Sequence, residues 1–271
     1  MTFLADVVRK RSGLVLGLDK SYLVESRLGP IARKEELPSV DALVHNARAR
    51  PSEPLLWAIT DALTTNETFF FRDKTPFEQF RADVLPALAA RRGAGPLRVW
   101  CAACSTGQEP YSLAMLMDEV GAGFPGVTLD ICASDISERV LEKAQAGLYS
   151  QFEVQRGLPI SHLIKHFDKA DENWQVKARL RQMIRWRRFN LLDDMRPLGR
   201  FDVVFCRNVL IYFDTDTRKK VLEAIAGVMP EDGFLFLGAS ETVIGVSEAF
   251  TPVPDRRGLY ARTPRRREAA A

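Results

Sequence analysis

Short apolar runs alternate with longer helical patterns over the carboxyl-terminal two thirds of the chain. The apolar runs span residues 97–101, 128–133, 201–206 and 234–238, and the helical patterns span residues 109–120, 137–146 and 215–229. Runs of this length suit buried strands, and strands that alternate with helices build a parallel sheet covered on both faces. We therefore predict an α/β fold that binds its ligands at the carboxyl ends of the strands.

The amino-terminal part of the chain shows helical patterns instead. Helices are predicted at residues 3–11, 20–34, 40–50 and 54–64, with Ser39 and Ser52 as caps. We predict three parts: an all-helical amino-terminal domain over residues 1–73, a linker with a helix over residues 74–95, and the α/β domain over residues 96–271.

One segment, at about residues 150–188, interrupts the alternation. Its last part carries basic residues two or four positions apart, namely Lys177, Arg179, Arg181, Arg185 and Arg187. Such spacing puts side chains on one face of an extended backbone, so we predict an inserted hairpin with a basic face. That face is either a solvated surface or a binding surface, and the pattern does not separate the two.

Composition limits the class of protein. The chain has 271 residues and a formal net charge of +3, which is too mild to indicate nucleic-acid binding by itself. No apolar run of about 18 residues occurs, so we expect a cytoplasmic protein without membrane insertion. All four cysteines lie in or beside apolar runs, which favours reduced, buried thiols.

A loop of small residues, 101–107, follows the first apolar run and leads directly into a helix. Small side chains let a ligand approach the backbone, and the helix amino terminus suits a carboxylate or phosphate. The second run ends at Asp135, where a ribose diol would be held in an adenosine-type site. The alternative is that Asp135 caps the next helix, although Ser137 can already do so.

Two features resemble metal sites. Cys101 and Cys104 are spaced as C-x-x-C, but a second ligand pair is missing. His162 and His166 are four residues apart on a predicted helix, and the sequence identifies no third ligand beside them. Surface histidines are the better interpretation, and we predict no metal site.

Three longer segments carry a family resemblance. They are TTNETFFFRD at residues 64–73, ACSTGQEPYS at residues 103–112 and FCRNVLIYFD at residues 205–214. Asn190-Leu191 and residues 238–241, GASE, add two shorter matches. In order and spacing these segments closely resemble the chemotaxis receptor methyltransferases of the CheR family, over nearly the whole chain.

The resemblance implies a Rossmann-like S-adenosylmethionine-dependent methyltransferase domain with an inserted small antiparallel β-subdomain, after an all-helical domain. It implies methyl transfer to glutamate side chains of methyl-accepting chemotaxis receptors, with S-adenosylhomocysteine as product. The implied cofactor contacts are Asn66, Thr68, Arg72, Glu109, Asp135, Asn190, Leu191, Arg207 and Asn208. Arg72 and Tyr212 would lie beside the transferred methyl group.

Those two residues suit the reaction. An ionised carboxylate already has the lone pair needed to displace a sulfonium, so no general base is required and positioning dominates. Arg72 can orient the carboxylate with its planar fork, and Tyr212 can donate one hydrogen bond. We assign both to orientation.

The expected partners are the cytoplasmic methylation helices of chemoreceptors, with no nucleic acid, and we expect a monomer. Basic residues of the amino-terminal domain would steer acidic helices, or they form an ordinary solvated surface: Arg9, Lys10, Arg11, Arg33, Lys34, Arg48 and Arg50. The turn at residues 168–173 looks shorter than the glycine-containing loop with which some relatives dock a receptor tail. We therefore predict independence of a carboxyl-terminal receptor pentapeptide.

Two other functions stay open. A regulator that binds cofactor and docks on receptors without turnover would keep the same pocket. A nucleic-acid methyltransferase is disfavoured, because residues 207–210 read RNVL and lack the Asn-Pro-Pro-Tyr type of loop that amine methyltransferases carry.

Overall fold

The computed structural model describes residues 2–17 and 21–264. Contacts divide the chain into two compact units, Met1–Thr65 with Tyr212–Thr217, and Asn66–Ile211 with Arg218–Ala271. The predicted start of the second helix at residue 20 and the predicted domain end at residue 271 lie outside the described residues. No helix in the described part has the length and apolar character needed to cross a membrane.

The first unit is built from helices, as predicted. They are α1 (Thr2–Ser12), α2 (Ser21–Lys34), α3 (Val40–Ala49) and α4 (Glu53–Leu63). Apolar side chains three or four positions apart form its core, for example Leu55, Ile59 and Leu63 along α4. Ser39 caps α3 by accepting a hydrogen bond from the Ala42 N–H at 3.1 Å, which confirms its predicted role.

A short segment from later in the chain completes this unit. The backbone N–H of Val15 donates to the carbonyl of Tyr212 at 2.8 Å, and Leu14 forms a β-bridge with Phe213. Arg9 pairs with Asp214 at 2.6 Å. Residues 212–217 are therefore held by α1 and by the turn after it.

The first helices of the second unit cover residues 75–92. It consists of α5 (Thr75–Gln79), a π-helical turn (Phe80–Val84) and α6 (Leu85–Arg92). The π turn ends just before Pro86, which has no N–H to donate to a regular α-helical ladder.

A seven-stranded sheet forms the centre of the described part of this unit, in the order β6-β2-β1-β7-β8-β10-β9. Its strands are β1 (Gly95–Ala102), β2 (Val127–Asp135), β6 (Ile184–Arg188), β7 (Val203–Cys206), β8 (Phe234–Leu237), β9 (Phe250–Pro252) and β10 (Leu259–Arg262). The connecting helices include α7 (Gln108–Val120), α8 (Glu138–Ala146) and α12 (Thr215–Gly227). The four predicted strands and three predicted helices all form.

The sheet is mixed, whereas we predicted a parallel one. Strands β6, β2, β1, β7 and β8 are parallel, but β10 and β9 are antiparallel to their neighbours. The strands missed in the sequence, β6, β9 and β10, lie toward the sheet edges. Edge strands are short and partly solvated, so they carry no continuous apolar run.

A second, three-stranded antiparallel sheet confirms the predicted small β-subdomain. It contains β3 (Leu148–Ser150), β4 (Phe167–Ala170) and β5 (Asn173–Val176), in the order β3-β5-β4. The short helices α9 (Gln151–Gln155) and α10 (Ile160–His166) lie between β3 and β4 in the chain.

The predicted basic hairpin is wrong. Residues Ala178–Arg181 form the short helix α11, and residues 184–188 are β6 of the large sheet. Arg185 pairs with Asp130 at 2.6 Å and Arg179 with Asp118 at 3.3 Å, so part of this basic charge is neutralised within the fold. The basic residues at odd-numbered positions lie partly on a short helix and partly on an edge strand. The sequence pattern does not distinguish this arrangement from an extended hairpin.

Candidate functional site

The carboxyl ends of four neighbouring strands lie in one row. Ala102 of β1 is paired in register with Ser134 of β2 and with Cys206 of β7, and Cys206 is paired with Leu237 of β8. The residues that follow these positions are Ala103, Asp135, Arg207 and Gly238. Because β1 lies between β2 and β7, this row is also where the strand order reverses, which is the usual ligand site of such sheets.

The loop after β1 has an unusual backbone. Ala103, Ser105 and Gly107 have φ angles of 58°, 51° and 92°, all in the left-handed region. For the two non-glycine residues this conformation costs on the order of 1–3 kcal/mol each, and such strain clusters at functional sites. At Gly107 a Cβ atom would come within 2.9 Å of the Ala144 and Trp186 side chains, so the loop is packed tightly against these two side chains.

Asp135 ties this loop to β2. Its buried carboxylate accepts hydrogen bonds from the backbone N–H of Ser105 at 2.8 Å and of Ser137 at 3.0 Å. Ser137 is the N-cap of α8, where its hydroxyl accepts from Val140, so Asp135 is not the capping residue. A carboxylate offers about four acceptor positions, and holding the loop is compatible with holding a ligand hydroxyl.

Arg207 is a buried cation at the centre of an ion cluster. Its guanidinium donates to the carboxylates of Glu109 at 2.8 Å and Asp73 at 2.7 Å, and to the Arg72 carbonyl at 2.8 Å. Only 2% of the Arg207 side chain is exposed. The cluster joins the segment before α5, the amino terminus of α7 and the end of β7.

Two polar atoms in this cluster bear on ligand binding. Burial raises the pKa of the Glu109 carboxyl, although the Arg207 charge acts in the opposite direction. The Nε atom of Arg207 is buried and has no hydrogen-bond partner among the described residues. An N–H donor of this kind suits a ligand carboxylate, and it fits the amino-acid end of an S-adenosylmethionine-type cofactor.

The segment at residues 66–73 carries Asn66, Thr68 and Arg72, each half-buried. The Asn66 carbonyl accepts from the Ser105 hydroxyl at 2.7 Å, and the Phe71 N–H donates to the Ser112 hydroxyl at 2.9 Å. These bonds hold the segment against the β1 loop and α7.

Arg72 is anchored at one end of its guanidinium. Its Nη1 donates to the Glu67 carbonyl at 2.7 Å, and its guanidinium lies 5.7 Å from the centre of the Phe69 ring. The other guanidinium nitrogens donate to no acceptor in the described part of the chain. Arg72 therefore keeps donors that can orient an anionic group.

Asn190 and Leu191 follow β6. The N–H of Phe189 donates to the Asp135 carbonyl at 2.9 Å, which keeps the chain beside β2 as it leaves the sheet. Leu191 is buried, and the Asn190 side-chain oxygen accepts from the Leu192 N–H at 3.1 Å. Both residues are therefore near the end of β2 that carries Asp135.

Tyr212 belongs to the other unit, where it packs on the apolar core of the amino-terminal helices. The remaining predicted site residues all belong to the second unit. The joint position of Arg72 and Tyr212 beside one methyl group stays a prediction.

Glu241 is a residue whose role sequence reasoning missed. Its carboxylate accepts backbone N–H bonds of 2.7–3.3 Å from five residues, Asn208, Val209, Leu210, Ile211 and Gly238. Asn208 itself has a left-handed φ of 59°. A lone glutamate in a small-residue loop after a buried strand was the available signal, because a charge there needs a dedicated set of donors.

We expect Glu241→Gln to destabilise the protein by about 2–4 kcal/mol, because either orientation of the amide leaves at least two buried N–H groups without an acceptor. Urea denaturation of wild type and variant measures this difference. Glu248→Gln is the matched control, since Glu248 is exposed and should change the free energy of unfolding by less than about 0.5 kcal/mol. Equal midpoints for all three proteins would contradict the role given to Glu241.

Comparison with known proteins covers the same two units. Residues 1–64 match the family model described as CheR methyltransferase, all-alpha domain, and residues 66–259 match CheR methyltransferase, SAM binding domain.

Curated relatives align over most of their length. Chemotaxis protein methyltransferase Cher2 of Pseudomonas putida is 40% identical over 256 residues, covering 93% of both chains. Chemotaxis protein methyltransferase 1 of Pseudomonas aeruginosa is 40% identical over 259 residues, covering 94% of both. Chemotaxis protein methyltransferase 1 of Vibrio cholerae is 39% identical over 255 residues, covering 93% of this chain and 92% of the relative.

Proposed function

Because the chain belongs to the CheR family of S-adenosylmethionine-dependent chemotaxis protein methyltransferases, we propose that it methylates glutamate side chains on the cytoplasmic methylation helices of chemoreceptors. The products are glutamate methyl esters and S-adenosylhomocysteine. The observation that carries the proposal is the position of Arg72, a half-buried cation on the segment bonded to Arg207 and to the β1 loop.

Several residues of the strand-end row are suited to hold the cofactor. Bound S-adenosylmethionine supplies an electrophilic methyl group on a sulfonium. Arg207 Nε suits the carboxylate of its amino-acid end, and Asp135 suits the ribose hydroxyls. The further proposed contacts are Asn66, Thr68, Arg72, Glu109, Asn190, Leu191 and Asn208.

Catalysis then rests on orientation. The acceptor glutamate is ionised at neutral pH and needs no base, so its oxygen has only to be held in line with the methyl group. We assign this task to the guanidinium of Arg72 and the hydroxyl of Tyr212. A cation that orients a carboxylate disfavours a neutral amine acceptor, so this arrangement fits a protein carboxylate better than a nucleic-acid base.

The amino-terminal helices offer charge for an acidic partner. Arg9 and Arg11 are paired with Asp214 and Glu53, at 2.6 Å in each case. In contrast, five other basic residues are exposed and have no ion-pair partner in the described part of the chain: Lys10, Arg33, Lys34, Arg48 and Arg50. These five support steering of acidic receptor helices better than the two paired arginines do.

We also propose that the protein acts as a cytoplasmic monomer and binds no nucleic acid. Its proposed organisation is an all-helical domain over residues 1–73, a linker with a helix over residues 74–95, and a methyltransferase domain over residues 96–271. The proposed insertion at about residues 150–188 includes the small antiparallel sheet.

The decisive experiment transfers labelled methyl groups from S-adenosylmethionine to receptor-containing membranes. Label that is released by base but stable to acid identifies a carboxyl methyl ester. Base-stable label would contradict the glutamate assignment, and cofactor binding without label transfer to any receptor of the source organism would favour a non-catalytic regulator.

Arg72→Ala should lower the turnover number by about 100-fold or more, since a misplaced acceptor loses the benefit of orientation. Cofactor affinity and thermal midpoint, measured in parallel, separate this effect from unfolding. Arg81→Ala removes an exposed arginine of the same unit and should leave turnover unchanged. Wild-type turnover in Arg72→Ala would remove Arg72 from the site.

Asp135→Ala should weaken cofactor binding by about 1.5–3 kcal/mol, the expected loss for a charged hydrogen bond. Calorimetric titration with S-adenosylhomocysteine measures it. The thermal midpoint of the variant, measured without ligand, reports the loss of the tie to the Ser105 N–H separately from the loss of cofactor affinity. Unchanged affinity in Asp135→Ala would leave the residue a purely structural role.

We propose that receptor recognition does not use a carboxyl-terminal pentapeptide. Only Asp171 and Glu172 connect β4 to β5, so the hairpin has no long loop to receive a peptide, and both residues repel a terminal carboxylate. Calorimetry with a receptor-tail pentapeptide should show no micromolar binding, while S-adenosylhomocysteine titrates the same sample. Micromolar peptide binding would refute this proposal.

A further inference from the structure

A cluster of two histidines and a glutamate lies apart from the strand-end row. His162 and His166 are four residues apart on α10, and Glu119 is near the carboxyl end of α7. The expectation of surface histidines is wrong for His166, which is fully buried. The third side chain, Glu119, was not predicted from the sequence, because it comes from a helix more than 40 residues before His162.

Both imidazoles have a buried nitrogen without a partner. Nδ1 of His162 and Nε2 of His166 make no hydrogen bond within the described residues. Leaving a buried polar atom unsatisfied costs about 1–3 kcal/mol, and native proteins rarely keep such atoms without a reason. At His166 a bound cation supplies one, whereas the ligand atom of His162 is Nε2, which faces Glu119.

The distances are close to those of a coordination site. Nε2 of His162 is 3.3 Å from the Glu119 carboxylate. Two ligand atoms at about 2.0–2.1 Å from a tetrahedral Zn²⁺ are separated by roughly 3.3 Å, so this pair already has the required spacing. One ligand atom from each of the three residues lies within 4.8 Å of the others, so the pair farthest apart would have to approach by up to about 1.5 Å.

A carboxylate that could act as the second layer of a metal site lies beside His166. The Nδ1 atom of His166 accepts a hydrogen bond from Arg179 at 3.3 Å and lies 3.8 Å from the carboxylate of Asp118. A metal ion at Nε2 therefore requires the ring proton to move to Nδ1, where Asp118 replaces Arg179 as its partner. Asp118 also pairs with Lys165 at 3.0 Å and Arg179 at 3.3 Å, which offsets the positive charge of both near the cluster.

A metal ligand must be a neutral imidazole, and burial disfavours the charged form of both rings. Burial lowers the pKa of His162, and it lowers the pKa of His166 to about 4, against the opposing influence of Glu119 and Asp118. Lys165 and Arg179 also lower the His166 value.

We propose that Glu119, His162 and His166 form a binding site for a divalent transition metal ion, with Zn²⁺ the best match. Two imidazoles and one carboxylate are typical ligands of Zn²⁺, whereas Mg²⁺ and Ca²⁺ prefer all-oxygen sites. Three protein ligands leave a fourth tetrahedral position for water.

The ion would cross-link two parts of the second unit. α7 starts directly after the loop that follows β1, and α10 leads directly into β4 of the small sheet. A bound ion would therefore fasten the inserted subdomain to a helix of the α/β core. This role is independent of the proposed methyl transfer.

Calorimetric titration of the full-length, chelator-treated protein with Zn²⁺ tests the site. We expect one ion per chain and a rise in thermal midpoint with Zn²⁺ concentration. His162→Gln and Glu119→Gln should each weaken binding by at least about tenfold, since even second-layer changes cost that much. His45→Gln is the matched control, because His45, the third histidine of the chain, is exposed on α3.

Cysteine coordination is the main competing source of a Zn²⁺ signal. Co²⁺ substitution distinguishes the two, since thiolate ligands give an intense charge-transfer band that imidazole and carboxylate ligands lack. A one-to-one Co²⁺ complex without that band supports the proposal. A thiolate band, no one-to-one binding, or equal affinity in wild type, His162→Gln and Glu119→Gln would overturn it.

Discussion

The buried guanidinium of Arg207 is the interaction on which the site depends. It joins three segments that are distant in sequence, because Asp73 precedes α5, Glu109 starts α7 and Arg207 follows β7. Burying a charge is costly unless its partners lie at hydrogen-bonding distance and satisfy its donors. Removing one partner of a buried pair commonly costs about 3–5 kcal/mol. The cluster therefore makes the arrangement of the strand-end loops specific, and Arg72 takes its place through the carbonyl that Arg207 holds.

Glu241 holds the backbone of the 208–211 turn, as Arg207 holds the Arg72 carbonyl in the segment before α5. The Glu241 carboxylate satisfies a set of backbone N–H groups at the strand ends that would otherwise be unpaired. Irregular backbone with left-handed residues such as Ala103, Ser105 and Asn208 persists only where its surroundings over-determine it. Hydrogen bonds to buried charged side chains thus replace regular backbone hydrogen bonds at the carboxyl ends of the strands.

The sequence predicted the parts of the fold that depend on burial. Strands β1, β2, β7 and β8 are buried on both faces and appear as apolar runs, whereas β6, with the sequence IRWRR, has little apolar character and was assigned to a hairpin. Asp135 was expected at the end of β2, where it lies, and its contact with the cofactor stays a prediction. The Glu241 network and the His166 environment could not be predicted, because both depend on contacts between segments more than 20 residues apart.

The shared register at the strand ends has a further consequence for how this chain can change. A strand rises about 3.3 Å per residue and alternates its faces, so one inserted or deleted residue within β7 would displace Arg207 by that amount and reverse its direction. A substitution in a loop changes only the contacts of one side chain. A length change in a central strand shifts the residue at its end out of alignment with the other strand ends. Variation in length is therefore best tolerated in connections away from this edge, and a collection of homologous chains should show its gaps there.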